Sequence, residues 1–310
     1  MPVVSAQAGP EREQLVLISF DGAHDNRLWE RSLKLGEASG ARFTYFLSCT
    51  FLIAKAERAS YRAPGQAAGR SNVGFAADRT EALARLGHIW SAFQTGHEIG
   101  SHGCGHFDGK DWSRSQWKSE FSQFDAALAN GWVNNGERAP AGWRDFARTA
   151  VTGFRAPYLS IGKGLFAALA DHGLRYDAST VSRGPVEPDT TRPVARFALP
   201  LIPEGPAARR IIAMDYNLFV RHSGGLENPA RTKDFEQRTL DAFRAAFEAE
   251  YSGSRRPLQL GFHFVEMNGG AYWRALERFA SEICARPQVA CVTYQEAMRR
   301  MASPVPKPDS

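Results

Sequence analysis

Short apolar runs rich in β-forming residues recur along the chain. Runs of this length, bounded by polar or turn-forming residues, predict buried strands. The predicted strands are residues 15–20, 41–48, 97–102, 151–155, 174–179, 210–215, 258–264 and 289–294.

Between these runs, apolar residues recur at the three- and four-residue spacing of a helix face. In the clearest case Asp78 is placed to cap a helix that Gly96 ends, with an apolar face formed by Leu83, Leu86, Trp90 and Phe93. Thr293 and Glu296 have the spacing of a capping box for the last helix. The predicted helices are residues 28–39, 79–95, 115–129, 163–172, 231–251, 271–285 and a final one after 293.

Strands that alternate with helices predict an α/β protein with a mainly parallel sheet. With about seven or eight strands, we expect the sheet to close into a single barrel. The proline-rich residues 184–209 interrupt the alternation and are predicted to be an excursion over the surface. The single domain is predicted to span 15–301, after a leader at 1–14 and before a disordered tail at 302–310.

Composition and charge exclude some partners and leave others open. The net charge of +5 comes without any basic run, which argues against a nucleic-acid-binding protein. No apolar stretch approaches the length of a membrane span. Ala6-Gln7-Ala8 resembles the end of a secretory signal, so we expect export to the periplasm or the exterior, with a cytoplasmic protein carrying a disordered leader as the alternative. The oligomeric state is left open.

Four cysteines are too few for a disulfide scaffold. Cys284 and Cys291 are close enough in sequence to form a disulfide if the protein is exported.

Chemically active side chains lie at or near the carboxyl ends of the predicted strands. Catalytic residues of such barrels lie at the carboxyl ends of the strands. The side chains found there are Asp21, His102, Arg155, Asp177, Asp215 and His263. Any one of them could be structural: Asp21 could cap a turn, and His263 could be a satisfied core residue.

His102 and His106 are four residues apart in "GSHGCGH" and could share a metal ion. Neutral imidazoles suit zinc well. By themselves, two histidines at this spacing are often ordinary surface residues. Gly103 and Gly105 favour a tight loop over a regular helix.

Five motifs, "SFDG", "SHGCGH", "FRAPY", "YDAS" and "LGFH", occur in this order between about residues 15 and 300. Together they resemble the polysaccharide deacetylases of carbohydrate esterase family 4, which contain the NodB-homology domain, and in particular the chitin-deacetylase branch. The resemblance implies a NodB-like distorted (β/α) barrel that uses a divalent metal, most often zinc, to remove N-acetyl groups from an amino-sugar polymer such as chitin or peptidoglycan.

The same resemblance assigns roles by motif. Asp21 matches the general base and Arg155 the arginine that positions it. His102 and His106 match two metal ligands. His263 matches the general acid, and Asp177 lies in the motif that supports it. In this scheme the metal polarises water and carbonyl, Asp21 takes the proton of the water, and His263 protonates the leaving amine.

The sequence departs from the family at the position after Asp21. The family carries a second aspartate there as third metal ligand, whereas this chain has Gly22. Asp21 itself is the preferred substitute because it needs no backbone rearrangement. Asp25 or His24 could fold back instead, and Cys104 could supply a thiolate. A second departure is Gly103, where the family usually has a hydroxyl residue.

Exposed aromatic residues can stack on sugar rings. Tyr158 in "FRAPY", Trp112 and Trp143 are the candidates for substrate binding. Trp117 falls on an apolar helical stripe and is expected in the core.

Three functions follow from these observations. The first is a metal-dependent deacetylase of N-acetylated glycans. The second is a related C–N hydrolase that acts on a small amide or imide with little or no metal. The third is a glycan-binding protein that lost hydrolysis together with the ligand at Gly22.

Overall fold

The computed structural model describes residues 12–302, in which the chain forms nine strands and ten α-helices. Residues 1–11 and 303–310, which make up most of the predicted leader and tail, lie outside the described residues. The strands are β1 (Gln14–Gly22), β2 (Thr44–Leu47), β3 (Glu98–Ser101), β4 (Gly153–Phe154), β5 (Tyr176–Ser182), β6 (Ala195–Glu204), β7 (Arg209–Ile212), β8 (Leu258–His263) and β9 (Val289–Cys291).

The helices cover the outside of this sheet. They are α1 (Asn26–Ser39), α2 (Arg79–Gln94), α3 (Arg114–Ala129), α4 (Gly131–Asn134), α5 (Trp143–Thr149), α6 (Leu165–His172), α7 (Asp215–Ser223), α8 (Thr232–Tyr251), α9 (Met267–Ile283) and α10 (Tyr294–Ala302). The seven predicted helices are present together with three that were not predicted, α4, α5 and α7. Asp78 caps α2, accepting a hydrogen bond from the Glu81 amide as predicted. The Thr293 hydroxyl likewise accepts from the Glu296 amide at the start of α10.

The strands form one curled sheet in the order β7-β6-β5-β4-β3-β2-β1-β8, with β9 beside β1. All neighbouring strands are parallel except β6 and β7. An isolated parallel bridge between Met214 and Gly261 brings the segment after β7 against β8 and closes the sheet. The predicted distorted (β/α) barrel is therefore confirmed.

Residues 184–209 correct one prediction. Instead of a surface excursion, much of this segment is β6, which pairs with β5 on one side and β7 on the other. Pro200 and Pro203 suggested a loop because proline cannot donate to a sheet. Here both prolines lie within β6, and the Pro200 carbonyl accepts a hydrogen bond from the Ala213 amide.

The core has an inner and an outer layer because successive side chains of a strand point to opposite faces. Along β1, Val16, Ile18 and Phe20 pack outward in the large cluster formed with the helices. Leu15 and Leu17 point inward, in the cluster that contains Phe46, Tyr176 and Tyr294. The inner face of β1 continues to Asp21 at the carboxyl end of the strand. No helix within residues 12–302 combines the length and the apolar composition required to cross a membrane.

Candidate active site

The predicted base, Asp21, lies at the carboxyl end of β1, directly beside His263 of β8 in the register of the two strands. It is 4% exposed. Its carboxylate accepts a hydrogen bond from Nη1 of the buried Arg155 at 2.8 Å. Burial by itself would raise the pKa of Asp21, but the positive charge of Arg155 and the nearby His102 and His263 together lower it. Asp21 is therefore held as a carboxylate.

Arg155 is fixed on every side. Its guanidinium donates to the Ser19 hydroxyl, the Tyr294 hydroxyl and the Ala178 carbonyl at 2.8–3.0 Å. The Phe46 ring lies 4.4 Å from the guanidinium carbon and adds a cation–π contact. The contact between Arg155 and Asp21 therefore has little freedom to change, which fits the predicted positioning role of Arg155.

His102 and His106 lie on the loop after β3, with ring centroids 5.0 Å apart. The Nδ1 of His102 donates to the Arg155 carbonyl at 2.7 Å, which leaves Nε2 free to accept a proton or bind a metal. Burial lowers the pKa of His102 to about 3 and also lowers that of His106, so both imidazoles are neutral near pH 7. Gly103 is required in this loop because its φ is +68° and a Cβ there would crowd Glu120.

His263 pairs with Asp215, which begins α7 immediately after the bridge at Met214. The Nδ1 of His263 donates to Oδ1 of Asp215 at 2.6 Å, and the His263 amide donates to Oδ2 at 2.8 Å. Burial by itself would lower the pKa of His263, but the charge and the hydrogen bond of Asp215 outweigh it and raise the pKa. His263 is therefore biased toward the protonated form that a general acid needs.

The predicted role of Asp177 is wrong. Asp177 is buried, and its carboxylate accepts from the amide and the hydroxyl of Ser179 at 3.1 and 2.6 Å. The Ser179 hydroxyl accepts from the Ala156 amide, so Asp177 anchors the segment that follows Arg155. Burial raises the pKa of Asp177 to about 6. The carboxylate that supports His263 is Asp215, a strand-end residue that the sequence placed at the site without a role.

The three aromatic candidates differ in position. Tyr158 is 58% exposed, and its ring lies 4.6 Å from that of His106, at the mouth of the site. Trp112 is half-buried and packs edge-on against Trp117. Trp143 corrects the prediction: it is fully buried, and its indole donates to the Leu128 carbonyl, so it cannot line a substrate groove.

The described residues do not supply a third metal ligand. Asp25 caps α1 by accepting from the Arg27 and Leu28 amides, so the expectation that it could fold back as a third ligand is wrong. The exposed His24 packs against Phe51. Asp21 is held by Arg155. Within residues 12–302, no three His, Cys, Asp or Glu side chains are arranged to hold a metal ion together. The described residues therefore offer a zinc ion two imidazole ligands, which is fewer than a complete zinc site needs. The mechanism below does not depend on a metal.

Cys104 is also excluded as a ligand because it forms a disulfide with Cys49. This bond ties the loop that carries His102 and His106, called the histidine loop below, to the segment after β2. The predicted Cys284–Cys291 disulfide is present as well and joins the end of α9 to β9.

The two disulfides are expected to differ in their effect on stability. In the chain-entropy model, closing the 55-residue separation of Cys49 and Cys104 stabilises by about 4 kcal/mol, against about 2 kcal/mol for the 7-residue separation of Cys284 and Cys291. Urea unfolding of Cys49→Ala/Cys104→Ala and of Cys284→Ala/Cys291→Ala should therefore show the larger loss for the first pair. Equal losses in the free energy of unfolding would show that the Cys49–Cys104 disulfide does not stabilise the fold more than the Cys284–Cys291 disulfide.

No family model matches the sequence, and no curated protein matches it. Solved structures match the fold. A candidate polysaccharide deacetylase from Mycobacterium smegmatis has a TM-score of 0.57 at 17% identity, covering 98% of this chain and 97% of that chain. The allantoinase PuuE has a TM-score of 0.56 at 16% identity, covering 99% of both chains. A candidate polysaccharide deacetylase from Pseudomonas aeruginosa PAO1 has a TM-score of 0.54 at 16% identity, covering 93% of this chain and 90% of that chain.

At these identities the likeness shows the fold alone. The chain has the NodB-like fold of the polysaccharide deacetylases, as the motif resemblance implied. An allantoinase has a similar fold, so the reaction has to be argued from the site.

Proposed function

We propose that this protein is a hydrolase that cleaves the amide C–N bond of an N-acetylated amino sugar. The observation that carries the proposal is the pair of oppositely tuned groups at the ends of β1 and β8. Arg155 helps to keep Asp21 ionised, and Asp215 favours protonated His263. A base and an acid that lie side by side, each with its own partner, are what hydrolysis of an amide requires.

In the proposed reaction, Asp21 takes a proton from a water molecule as the water oxygen attacks the acetyl carbonyl carbon. The C–N bond then breaks, and protonated His263 donates its proton to the departing nitrogen. The products are acetate and the free amine. Arg155 orients Asp21 throughout, and Asp215 stabilises the imidazolium of His263.

Two features support a sugar as substrate. Solved structures described as candidate polysaccharide deacetylases have this fold. Tyr158 presents an exposed ring beside His106, where it can stack on a sugar. The second candidate, a hydrolase of a small amide or imide, is favoured by the incomplete ligand set and by the fold similarity to an allantoinase.

An assay of acetate release from tetra-N-acetylchitotetraose, with allantoin hydrolysis measured in parallel, tests the proposal. Each reaction is run after chelator treatment and again with added zinc. Acetate release supports the proposed function. Turnover of allantoin alone supports the small-amide hydrolase. Binding of the oligosaccharide with no turnover of either compound would favour a glycan-binding protein.

We also propose that the protein is exported. Two disulfides within residues 12–302 support this location, because disulfides persist in oxidising compartments. Labelling of free thiols in protein taken from the periplasm or medium tests it: fully oxidised cysteines are expected.

Gly22→Asp is expected to tighten zinc binding. Gly22 has φ +82°, and a Cβ there would lie 3.8 Å from the Phe51 ring, so an aspartate fits at the cost of backbone strain. Loss of even an outer-shell partner costs about 10–100-fold in metal affinity, so a restored ligand should tighten zinc binding by at least about tenfold.

Gly22→Asn is the matched control, because it adds the same shape and strain without the charge. Zinc affinity is measured by competition with a chromogenic chelator. Equal affinity in the wild type and both variants would show that another group already completes the site.

A further inference from the structure

A cavity of about 470 Å³ lies beside the histidine loop. It is formed by the 3₁₀ helix Lys55–Ser60, the loop at 66–75 and Phe107, which follows His106. Three cationic side chains line it, those of Lys55, Arg58 and Arg70, and no carboxylate does.

These three cations are not neutralised by the surrounding protein. Within residues 12–302, none of the three side chains forms an ion pair or a hydrogen bond. Glu57, the carboxylate of the same 3₁₀ helix, pairs with Arg79 at 2.9 Å and does not line the cavity. Unpaired charges of one sign around a concavity attract a ligand of the opposite sign.

The cavity is joined to the proposed active site by hydrogen bonds. The Asn72 amide donates to the Gly105 carbonyl at 2.8 Å, and the Asn72 side chain donates to the His106 carbonyl at 3.0 Å. The loop that lines the cavity is therefore attached to the loop that carries His106. A substrate bound at the proposed active site could extend into the cavity.

The walls are suited to a sugar unit more than to a simple inorganic ion. A volume of about 470 Å³ is in the range of sites for organic ligands of substantial size. Phe75 and Phe107 add apolar surface beside the cations. This combination of ring-sized space, aromatic surface and positive charge suits a sugar that carries a carboxylate.

We propose that this cavity binds the anionic group of the substrate, and that the substrate class is an acidic N-acetylated glycan. The inference rests on the proposed function, which places the acetamide at the active site. Binding of the anionic group to the cavity is measured separately. Lys55, Arg58 and Arg70 hold the carboxylate of a neighbouring sugar unit while the acetamide lies at Asp21 and His263.

Calorimetric titration with two matched tetrasaccharides tests the inference. A hyaluronan tetrasaccharide carries N-acetylglucosamine and glucuronate, whereas tetra-N-acetylchitotetraose is neutral. At low salt, the wild type should bind the acidic probe about tenfold more tightly, and Lys55→Gln/Arg58→Gln/Arg70→Gln should lose this preference. The control Lys34→Gln/Arg138→Gln/Lys233→Gln removes the same charge from residues that do not line the cavity and should keep it.

Three results would overturn the inference. The first is equal binding of the acidic and neutral probes by the wild type. The second is an unchanged preference for the acidic probe in the cavity variant. The third is binding of inorganic phosphate that the cavity variant loses while both tetrasaccharides bind equally, which would indicate a small-anion site. Acetate release from chitotetraose reports on the proposed function. If no acetate appears but the acidic preference depends on the three cations, the hydrolase proposal fails and the anion-binding inference stands.

Discussion

Asp215→Asn is expected to lower kcat by about a hundredfold or more and to move the alkaline limb of the pH–rate profile to lower pH. Asp215 raises the pKa of His263 through its charge and a 2.6 Å hydrogen bond. A raised pKa keeps His263 protonated to higher pH, and activity declines as the pH rises through that value. Asparagine removes the charge, so the decline should begin at lower pH.

Asp177→Asn is the matched control for this prediction. Both aspartates are fully buried, but Asp177 lies in β5 and contacts Ser179 and not His263. Asp177→Asn should leave the alkaline limb in place even if it lowers stability. An unchanged limb in Asp215→Asn, measured as kcat from pH 5 to 10, would show that His263 is not the general acid.

Asp177 and Asp215 show which part of the site the sequence could predict. Both residues follow strand-like segments, so the sequence placed both at the carboxyl edge of the barrel. Which one meets His263 depends on how the sheet closes. The bridge between Met214 and Gly261 brings the segment after β7 against β8, and no local pattern encodes that contact.

The two disulfides also differ in how far the sequence could predict them. The spacing of Cys284 and Cys291 suggested their disulfide, because seven residues are easily closed. Cys49 and Cys104 are distant in sequence, and their pairing follows from β2 and β3 lying side by side. Tyr294 belongs to none of the five motifs. It accepts a hydrogen bond from Arg155 because the fold brings the start of α10 next to β4.

Aromatic residues were the least predictable part of the site. Trp143 and Tyr158 both follow glycine- or proline-containing segments, yet one is fully buried and the other 58% exposed. Trp143 begins α5, and its ring packs against Trp90 of α2 and Trp132 of α4. Composition cannot distinguish an aromatic residue that stacks on a sugar from one that fills a core, because both roles use the same apolar surface.

Asp21→Asn is expected to abolish turnover and also to destabilise the fold. It removes the proposed base, which is worth about 10²–10⁴ in kcat. It also leaves the guanidinium of Arg155 buried without its counter-charge, and loss of one partner of a buried pair costs about 3–5 kcal/mol. Activity and the free energy of unfolding in urea should therefore both decrease.

The double variant Asp21→Asn/Arg155→Met separates the two effects. Removing the guanidinium as well eliminates the uncompensated charge, so the double variant should be less destabilised than the sum of the single variants, while remaining inactive. The lowered pKa of Asp21 gives the sign of the pH dependence: its contribution is fully present above its ordinary value of 3.8 and is lost as the pH falls through the lowered value. The stability difference between the wild type and Asp21→Asn should therefore persist at pH 7 and narrow in acid. A difference that is the same at pH 7 and in acid, or strictly additive single variants, would show that the Asp21–Arg155 charge pair does not stabilise the barrel interior.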